Sequence, residues 1–137
     1  MQHTPRQSNR SKLVILSLTL AISALTLVGC TSLLRVEPPI RVPGGDPELG
    51  KAALMSYACV TCHVVPGVQG VQSYVGPPLD AWAQRRFIAG TLTNEPDNLI
   101  RWIMDPQSVE PGTAMPNVGV DRDTARDIAA YLYTLEN

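Results

Sequence analysis

Residues 59–63 read Cys59-Val60-Thr61-Cys62-His63, a pair of cysteines two residues apart with a histidine directly after the second. Two thiols three positions apart on a helical turn can form thioether bonds with the two vinyl groups of a haem. The adjacent histidine then lies under the iron, where its imidazole nitrogen can coordinate the metal. The pattern therefore predicts one covalent haem c, attached through Cys59 and Cys62 and ligated by His63.

Three other uses of paired cysteines agree less well with the sequence. A structural zinc site needs four ligands, and the chain has no second C-x-x-C pair and only one other histidine, His3. A thioredoxin-like dithiol needs a βαβ unit, which the sequence pattern does not indicate. A structural disulfide would leave His63 without a role. Haem attachment is therefore the favoured interpretation.

The first 29 residues have the layout of a bacterial export signal. Residues 1–12 hold three basic side chains and no acidic one, and residues 13–28 are uncharged and largely apolar. This apolar run is shorter than the roughly 20 residues that a membrane-spanning helix needs. It ends in Leu27-Val28-Gly29-Cys30, which is similar to a lipobox. We expect a lipoprotein signal peptide at 1–29 and a lipid on Cys30, with an uncleaved membrane anchor as the alternative.

Residues 30–45 contain three prolines and two glycines, and we expect them to form a tether before a domain at 46–137. Either interpretation of the N-terminus places this domain on the periplasmic side of the bacterial cell envelope, anchored to a membrane. Residues 30–137 carry eight of the 11 basic and all 12 acidic side chains, a formal charge of −4. This charge favours a partner with a basic docking surface and gives no reason to expect nucleic acid.

Three helices are predicted in the domain. The first starts at Asp46, whose side chain can cap it, and runs to about Ala58. The second follows Glu95 and ends at Asp105, because a proline comes next. The third starts near Asp121, and its apolar stripe has helical spacing: Ala125, Ile128, Leu132 and Leu135. No segment alternates like a strand, so we expect an all-α fold with long loops.

A methionine is the natural candidate for the second axial position of the iron, opposite His63. Met55 lies on the predicted first helix and Met104 near the end of the second, and core packing accounts for both. Met115 lies in the loop 111–116, whose two prolines restrict the backbone while a glycine lets it turn. We therefore expect Met115 to be the ligand, with Met104 as the alternative.

Taken in order, these segments resemble class I cytochromes c, the small haem proteins with one histidine and one methionine ligand. The resemblance covers residues 45–137 and rests on Gly45-Asp46, Gly50-Lys51, Cys59-Val60-Thr61-Cys62-His63, Gly76-Pro77-Pro78-Leu79, Pro111-Gly112-Thr113-Ala114-Met115 and Asp127-Ile128-Ala129-Ala130-Tyr131-Leu132. It implies three main helices and long loops wrapped around one covalent haem. It also implies that the carbonyl of Pro77 accepts the imidazole N–H of His63, and that Ile128 and Tyr131 face the first helix.

A narrower similarity links residues 85–107 to the cytochrome c domain fused to some bacterial oxidase subunits II. It rests on Arg85-Arg86, Ala89-Gly90-Thr91-Leu92, Asn98-Leu99, Trp102-Ile103 and Asp105-Pro106-Gln107. It implies that an arginine faces a haem propionate; we name Arg86, with Arg85 or a merely solvated basic pair as alternatives. Trp102 would pack beside the haem, a role compatible with the core. Because no segment resembles a copper-binding cupredoxin domain, we expect the chain not to be such a subunit.

These expectations combine into a single-electron carrier of a respiratory chain, tethered to a membrane and not itself an enzyme. Two filled axial positions leave no open site for oxygen or peroxide at the iron. The expected partners are redox proteins such as a terminal oxidase or another respiratory complex. Two alternatives stay open: a haem subunit fixed in a larger oxidoreductase complex, and a peroxidase-like or sensor protein in which Met115 is labile.

Overall fold

The computed structural model describes residues 39–71, 73 and 75–136. The predicted signal peptide, Cys30 and most of the predicted tether lie outside these residues. Val42 is buried, and its carbonyl accepts a hydrogen bond of 3.2 Å from the Gly45 amide. The last residues of the predicted tether therefore pack against the domain. Among the described helices, none combines the length and the apolar character needed to cross a bilayer.

The described chain is mainly helical, as the sequence predicts, and its helices are short. Its elements are α1 (Pro47–Ser56), a 3₁₀ turn (Cys59–Thr61), a second 3₁₀ turn (Trp82–Gln84), β1 (Phe87–Ile88), β2 (Leu92–Thr93), α2 (Pro96–Met104), α3 (Pro106–Val109) and α4 (Arg122–Leu132). Two long loops, at 62–81 and 110–121, connect the two 3₁₀ turns to each other and α3 to α4.

The two aspartates predicted to start helices do so through their side chains. Asp46 accepts hydrogen bonds from the first-turn amides of α1, and Asp121 does the same for α4. Helix α1 ends at Ser56, two residues before the predicted end. The reason is Ala58, whose φ of +56° lies in the left-handed region and cannot continue a helix.

Two small elements depart from the predicted pattern. Strands β1 and β2 pair antiparallel in a hairpin, with Ile88 opposite Leu92. Each strand has only two residues, which is too short to show an alternating pattern. Helix α2 ends beside Asp105 as predicted, but Pro106 then begins the short helix α3, which the Asp105 carboxylate caps at the Ser108 amide at 3.3 Å.

Helices α1 and α4 cross in close contact at Gly50. A β-carbon at this position would lie 2.0 Å from the carbonyl oxygen of Asp127, so only glycine allows the two backbones to approach this far. Nearby, the Asp127 carboxylate accepts a 2.8 Å hydrogen bond from the Asp46 amide. Helix α4 also packs on α2, and together the three helices bury much of the hydrophobic core: Leu54, Leu99, Ile100, Ile103, Ile128, Tyr131 and Leu132.

Candidate functional site

One mainly apolar cavity of about 400 Å³ lies among α1, α2, α4, the hairpin and the loops between them. The predicted site residues that line it are Cys59, Cys62, His63, Pro77, Trp102 and Met115. Arg86 is exposed and does not line it, whereas its neighbour Arg85 does. The fold therefore brings together residues that are up to 56 positions apart in the sequence, Cys59 and Met115 being the extremes.

Cys59 begins the 3₁₀ turn that follows α1, and Cys62 comes directly after this turn. The left-handed Ala58 reverses the chain, and its carbonyl accepts a 2.7 Å hydrogen bond from the Thr61 hydroxyl. The carbonyl of Cys59 accepts from the amides of Cys62 and His63 at 3.2 and 3.0 Å. Both thiols are free, so no disulfide joins them, and burial raises the pKa of the Cys59 thiol. The turn thus presents two thiols and an imidazole to one cavity.

The imidazole of His63 is held by the segment that contains Gly76 and Pro77. Its Nδ1 lies 2.7 Å from the carbonyl oxygen of Pro77, which is the predicted contact. This hydrogen bond assigns the proton to Nδ1 and leaves Nε2 free to bind a metal. A β-carbon on residue 76 would lie 2.3 Å from Cε1 of the same ring, so glycine is required for the contact. The ring is therefore fixed on two sides.

Among the methionines in the described residues, Met115 is the one that lines the cavity. Met55 is 55% exposed and does not pack in the core, contrary to the prediction from the sequence. Met104 packs against the hydrophobic core as predicted, outside the cavity wall. The geometry thus favours Met115 over Met104, the alternative that the sequence left open.

Trp82 is a cavity residue that the sequence pattern did not indicate. Its side chain is 5% exposed, and its indole Nε1 has no hydrogen-bond partner in the protein. The guanidinium of Arg85 lies over the indole ring, 4.9 Å from its centroid. A buried indole N–H normally has an acceptor, so this donor calls for an acidic or carbonyl oxygen supplied by a bound group.

A buried polar network supports the backbone at this tryptophan and in the three residues after it. The side-chain Nδ2 of Asn94 donates to the carbonyls of Trp82 and Arg85 at 2.9 and 3.0 Å. The side-chain Oδ1 of Asn94 accepts from the Tyr133 hydroxyl at 3.0 Å. Burial, and secondarily the charge of Glu95, raises the pKa of Tyr133 well above its usual value. Arg85 itself donates to the backbone carbonyls of Pro78 and Asp80. The network thus fixes the two residues that would face a ligand carboxylate.

The residues present fit a haem c and fit a protein-bound metal ion poorly. The apolar walls suit the porphyrin, and the two thiols suit its vinyl groups. The imidazole and the thioether suit its iron, and the unpaired indole N–H suits a propionate. By contrast, no group of three or more His, Cys, Asp or Glu side chains within the described segments is arranged to hold a metal ion. The zinc alternative therefore has no support in this part of the chain.

Comparisons with known proteins agree with this interpretation. The family model of cytochrome c matches residues 47–136. Cytochrome c2 of Rhodopila globiformis is 33% identical over 106 residues, which cover 69% of this chain and 97% of that protein. The crystal structure of cytochrome c2 from Rhodobacter sphaeroides has the same fold, with a TM-score of 0.53, 21% identity and coverage of 67% of this chain and 97% of that one.

A second group of relatives is longer than this chain. Subunit 2 of cytochrome c oxidase from Alkalihalophilus pseudofirmus is 33% identical over 88 residues. The match covers 64% of this chain and only 25% of the subunit. Because the family model spans most of the chain, and because the fold and cavity agree with it, the chain belongs to the cytochrome c family, as a class I electron-carrier protein with one covalent haem c.

Proposed function

We propose that this protein carries single electrons on a haem c, which Cys59 and Cys62 would attach and whose iron His63 and Met115 would ligate. The observation that carries the proposal is the composition of one cavity. It holds both thiols, the imidazole whose Nδ1 is already bonded to Pro77, and one of the three methionines in the described residues. The haem supplies the redox chemistry, as its iron alternates between the ferric and ferrous states.

The protein's own groups adjust the stability of the two oxidation states. A thioether donates weakly and so favours the ferrous iron, which raises the reduction potential. The apolar cavity walls, which include Leu54, Leu99 and Ile128, act in the same direction because low polarity penalises the more charged ferric form. The Pro77 carbonyl holds the His63 ring in one tautomer and one orientation. Little in this arrangement has to move when an electron arrives.

Trp82 and Arg85 are the proposed partners of the haem propionates. Both residues line the cavity wall, and a carboxylate could accept from the unpaired indole Nε1 and from the guanidinium. Arg85 takes the role that the sequence comparison gave to Arg86, because Arg86 is exposed away from the wall.

Removing the sulfur of Met115 tests the ligand assignment. The ferric wild type should show the weak far-red absorption band of a methionine–haem bond at neutral pH, and Met115→Ala should abolish it. Met104→Leu tests the alternative methionine, and Met55→Ala is the exposed control; both should keep the band. Loss of the band in Met104→Leu with retention in Met115→Ala would transfer the role to Met104.

The location and the partner form the second part of the proposal. A lipid on Cys30 would hold the haem domain at the periplasmic side of a membrane, where it would exchange electrons with a terminal oxidase or another respiratory complex. The similarity to part of an oxidase subunit 2 supports this class of partner. Mass spectrometry of the mature N-terminal peptide tests the anchor: a diacylglycerol on Cys30 is expected, and an unmodified peptide beginning at Met1 would contradict it.

Detergent extraction separates a tethered shuttle from a fixed subunit of a larger oxidoreductase complex. A shuttle should elute alone in mild detergent, whereas a fixed subunit should elute with its complex. Retention of the far-red band in the presence of peroxide would argue against the peroxidase-like alternative, since that activity needs an open position at the iron.

A further inference from the structure

The side chain of Gln107 makes three hydrogen bonds to the backbone of the loop that carries Met115. Its Nε2 donates to the carbonyls of Thr113 and Met115 at 2.8 and 3.0 Å. Its Oε1 accepts from the amide of Gly112 at 3.1 Å. One exposed side chain therefore ties together both ends of a four-residue stretch that includes the proposed iron ligand.

Only a primary amide of this length meets all three demands. Two carbonyl oxygens face one end of the side chain and an N–H faces the other, which fixes which terminal atom is nitrogen. A carboxylate could accept from Gly112 but could not donate to either carbonyl. The arrangement thus depends on glutamine itself.

Gln107 reaches the loop from a rigid base. It lies on α3, whose first residue Pro106 is fully buried, and the carboxylate of Asp105 caps this helix at the Ser108 amide. The Ser108 hydroxyl also donates to the Asp105 carbonyl at 2.9 Å. The side chain therefore connects the loop to the core.

The methionine loop has few backbone hydrogen bonds of its own. The Thr113 amide donates to the Glu110 carbonyl at 3.1 Å, and the Met115 amide makes a long contact of 3.4 Å with the Thr113 hydroxyl. Residues 113–121 include no helix or strand. The contacts from Gln107 are thus a large share of the polar contacts that hold Met115 in place.

We propose that Gln107 is a positioning residue that keeps the Met115 sulfur on the haem iron and sets how easily another ligand displaces it. This inference rests on the proposed function, because it takes Met115 as the axial ligand. Gln107 does not touch the cavity and acts only through the loop.

The test measures displacement of Met115 by imidazole in the ferric holoprotein. Apparent imidazole affinity rises with the fraction of molecules in which the loop has released the iron. Each neutral hydrogen bond shifts such an equilibrium by about fivefold, so losing two or three should raise the affinity about 25- to 125-fold. Gln107→Glu removes both donors at nearly constant shape, and Gln107→Ala removes all three contacts without adding charge; both should show the increase.

Gln84→Glu is the matched control. The Gln84 side-chain amide also donates to a backbone carbonyl, that of Glu136, but away from the methionine loop. Its imidazole affinity should stay within twofold of the wild type. Urea unfolding of the same variants separates a local effect from a general loss of stability. Faster hydrogen exchange of the Gly112 amide is expected in Gln107→Ala, where that amide loses its acceptor.

Two outcomes overturn the inference in distinguishable ways. If the wild type shows the far-red band and both Gln107 variants keep imidazole affinity within twofold, Gln107 does not hold the ligand and the proposed function stands. If the wild type lacks the band, or Met115→Ala retains it, the ligand assignment fails and the inference fails with it.

Discussion

At the scale of single residues, the indole of Trp82 offers a test in which the sign of the effect matters. Leaving a buried N–H without an acceptor is unfavourable. If Nε1 had no acceptor in the holoprotein, removing it in Trp82→Phe would leave the free energy of unfolding unchanged or raise it, once the cost of the lost packing is subtracted. If a propionate accepts from Nε1, the same change should lower the free energy of unfolding by about 1–3 kcal/mol, because the acceptor is charged. Urea unfolding of the holoprotein measures the difference.

The reduction potential provides the matching control for this variant. Loss of a donor to a propionate should shift the potential in Trp82→Phe, whereas a packing defect alone should not. Leu92→Ala, a change at a half-buried residue of the hairpin outside the cavity wall, should lower stability without shifting the potential. Equal potentials in the wild type and Trp82→Phe would contradict the propionate contact.

Tyr133 makes the stability of the protein depend on pH in the alkaline range. Its pKa is raised in the folded state, mainly by burial, above the usual tyrosine value of about 10. Above pH 10 the unfolded chain therefore releases a proton that the native state keeps, and stability falls by up to about 1.4 kcal/mol per pH unit. Below pH 10 this contribution is fully present. Tyr133→Phe should be less stable at pH 7, since Asn94 loses its donor, but should lose less stability between pH 10 and 11.

Chemical unfolding at pH 7, 10 and 11 measures this difference between Tyr133→Phe and the wild type. Parallel loss of stability in the two proteins would assign the alkaline transition to other groups. Tyr131, whose pKa is also raised by burial, remains in both proteins and serves as the internal reference.

At the scale of elements, the crossing of α1 and α4 makes Gly50→Ala destabilising. In an exposed helix, alanine is better than glycine by about 0.5–1 kcal/mol. At Gly50 the added β-carbon would meet the Asp127 backbone, and such overpacking costs about 1–3 kcal/mol or more. Ala52→Gly, at an exposed position of the same helix, measures the difference in helix propensity between alanine and glycine alone. Thermal unfolding of both variants should show a loss at each site, larger at Gly50; a gain in Gly50→Ala would contradict the close crossing.

Elements with strong local signals could be predicted from the sequence. Asp46 and Asp121 predict the starts of their helices, because a helix cap depends only on neighbouring residues. The hairpin and α3 could not be predicted, because two-residue strands and a four-residue helix are too short for any periodicity. The site divides in the same way. Cys59, Cys62 and His63 are close together in the sequence, so their pattern is recognisable there. The roles of Trp82, Asn94 and Gln107 depend on contacts that form only in the folded chain.

At the scale of the whole molecule, charge governs how the protein meets its redox partners. Residues 30–137 have a formal charge of −4 before the propionates are counted. A small cationic metal complex should therefore oxidise the ferrous protein faster than an anionic complex of the same potential at low salt. The two rates should converge as the ionic strength rises to about 1 M, where the Debye length is about 3 Å. Stopped-flow kinetics measure both; a faster anionic reagent would indicate a basic surface around the haem edge.

A potentiometric titration tests most directly whether the haem takes up one electron with His63 and Met115 as the ligands of its iron. The wild type should follow a single one-electron Nernst curve, and Met115→Ala should follow a curve at lower potential, because the thioether that favours ferrous iron is gone. Met55→Ala, altered at an exposed methionine, should match the wild type. A Met115→Ala potential equal to that of the wild type would contradict the account.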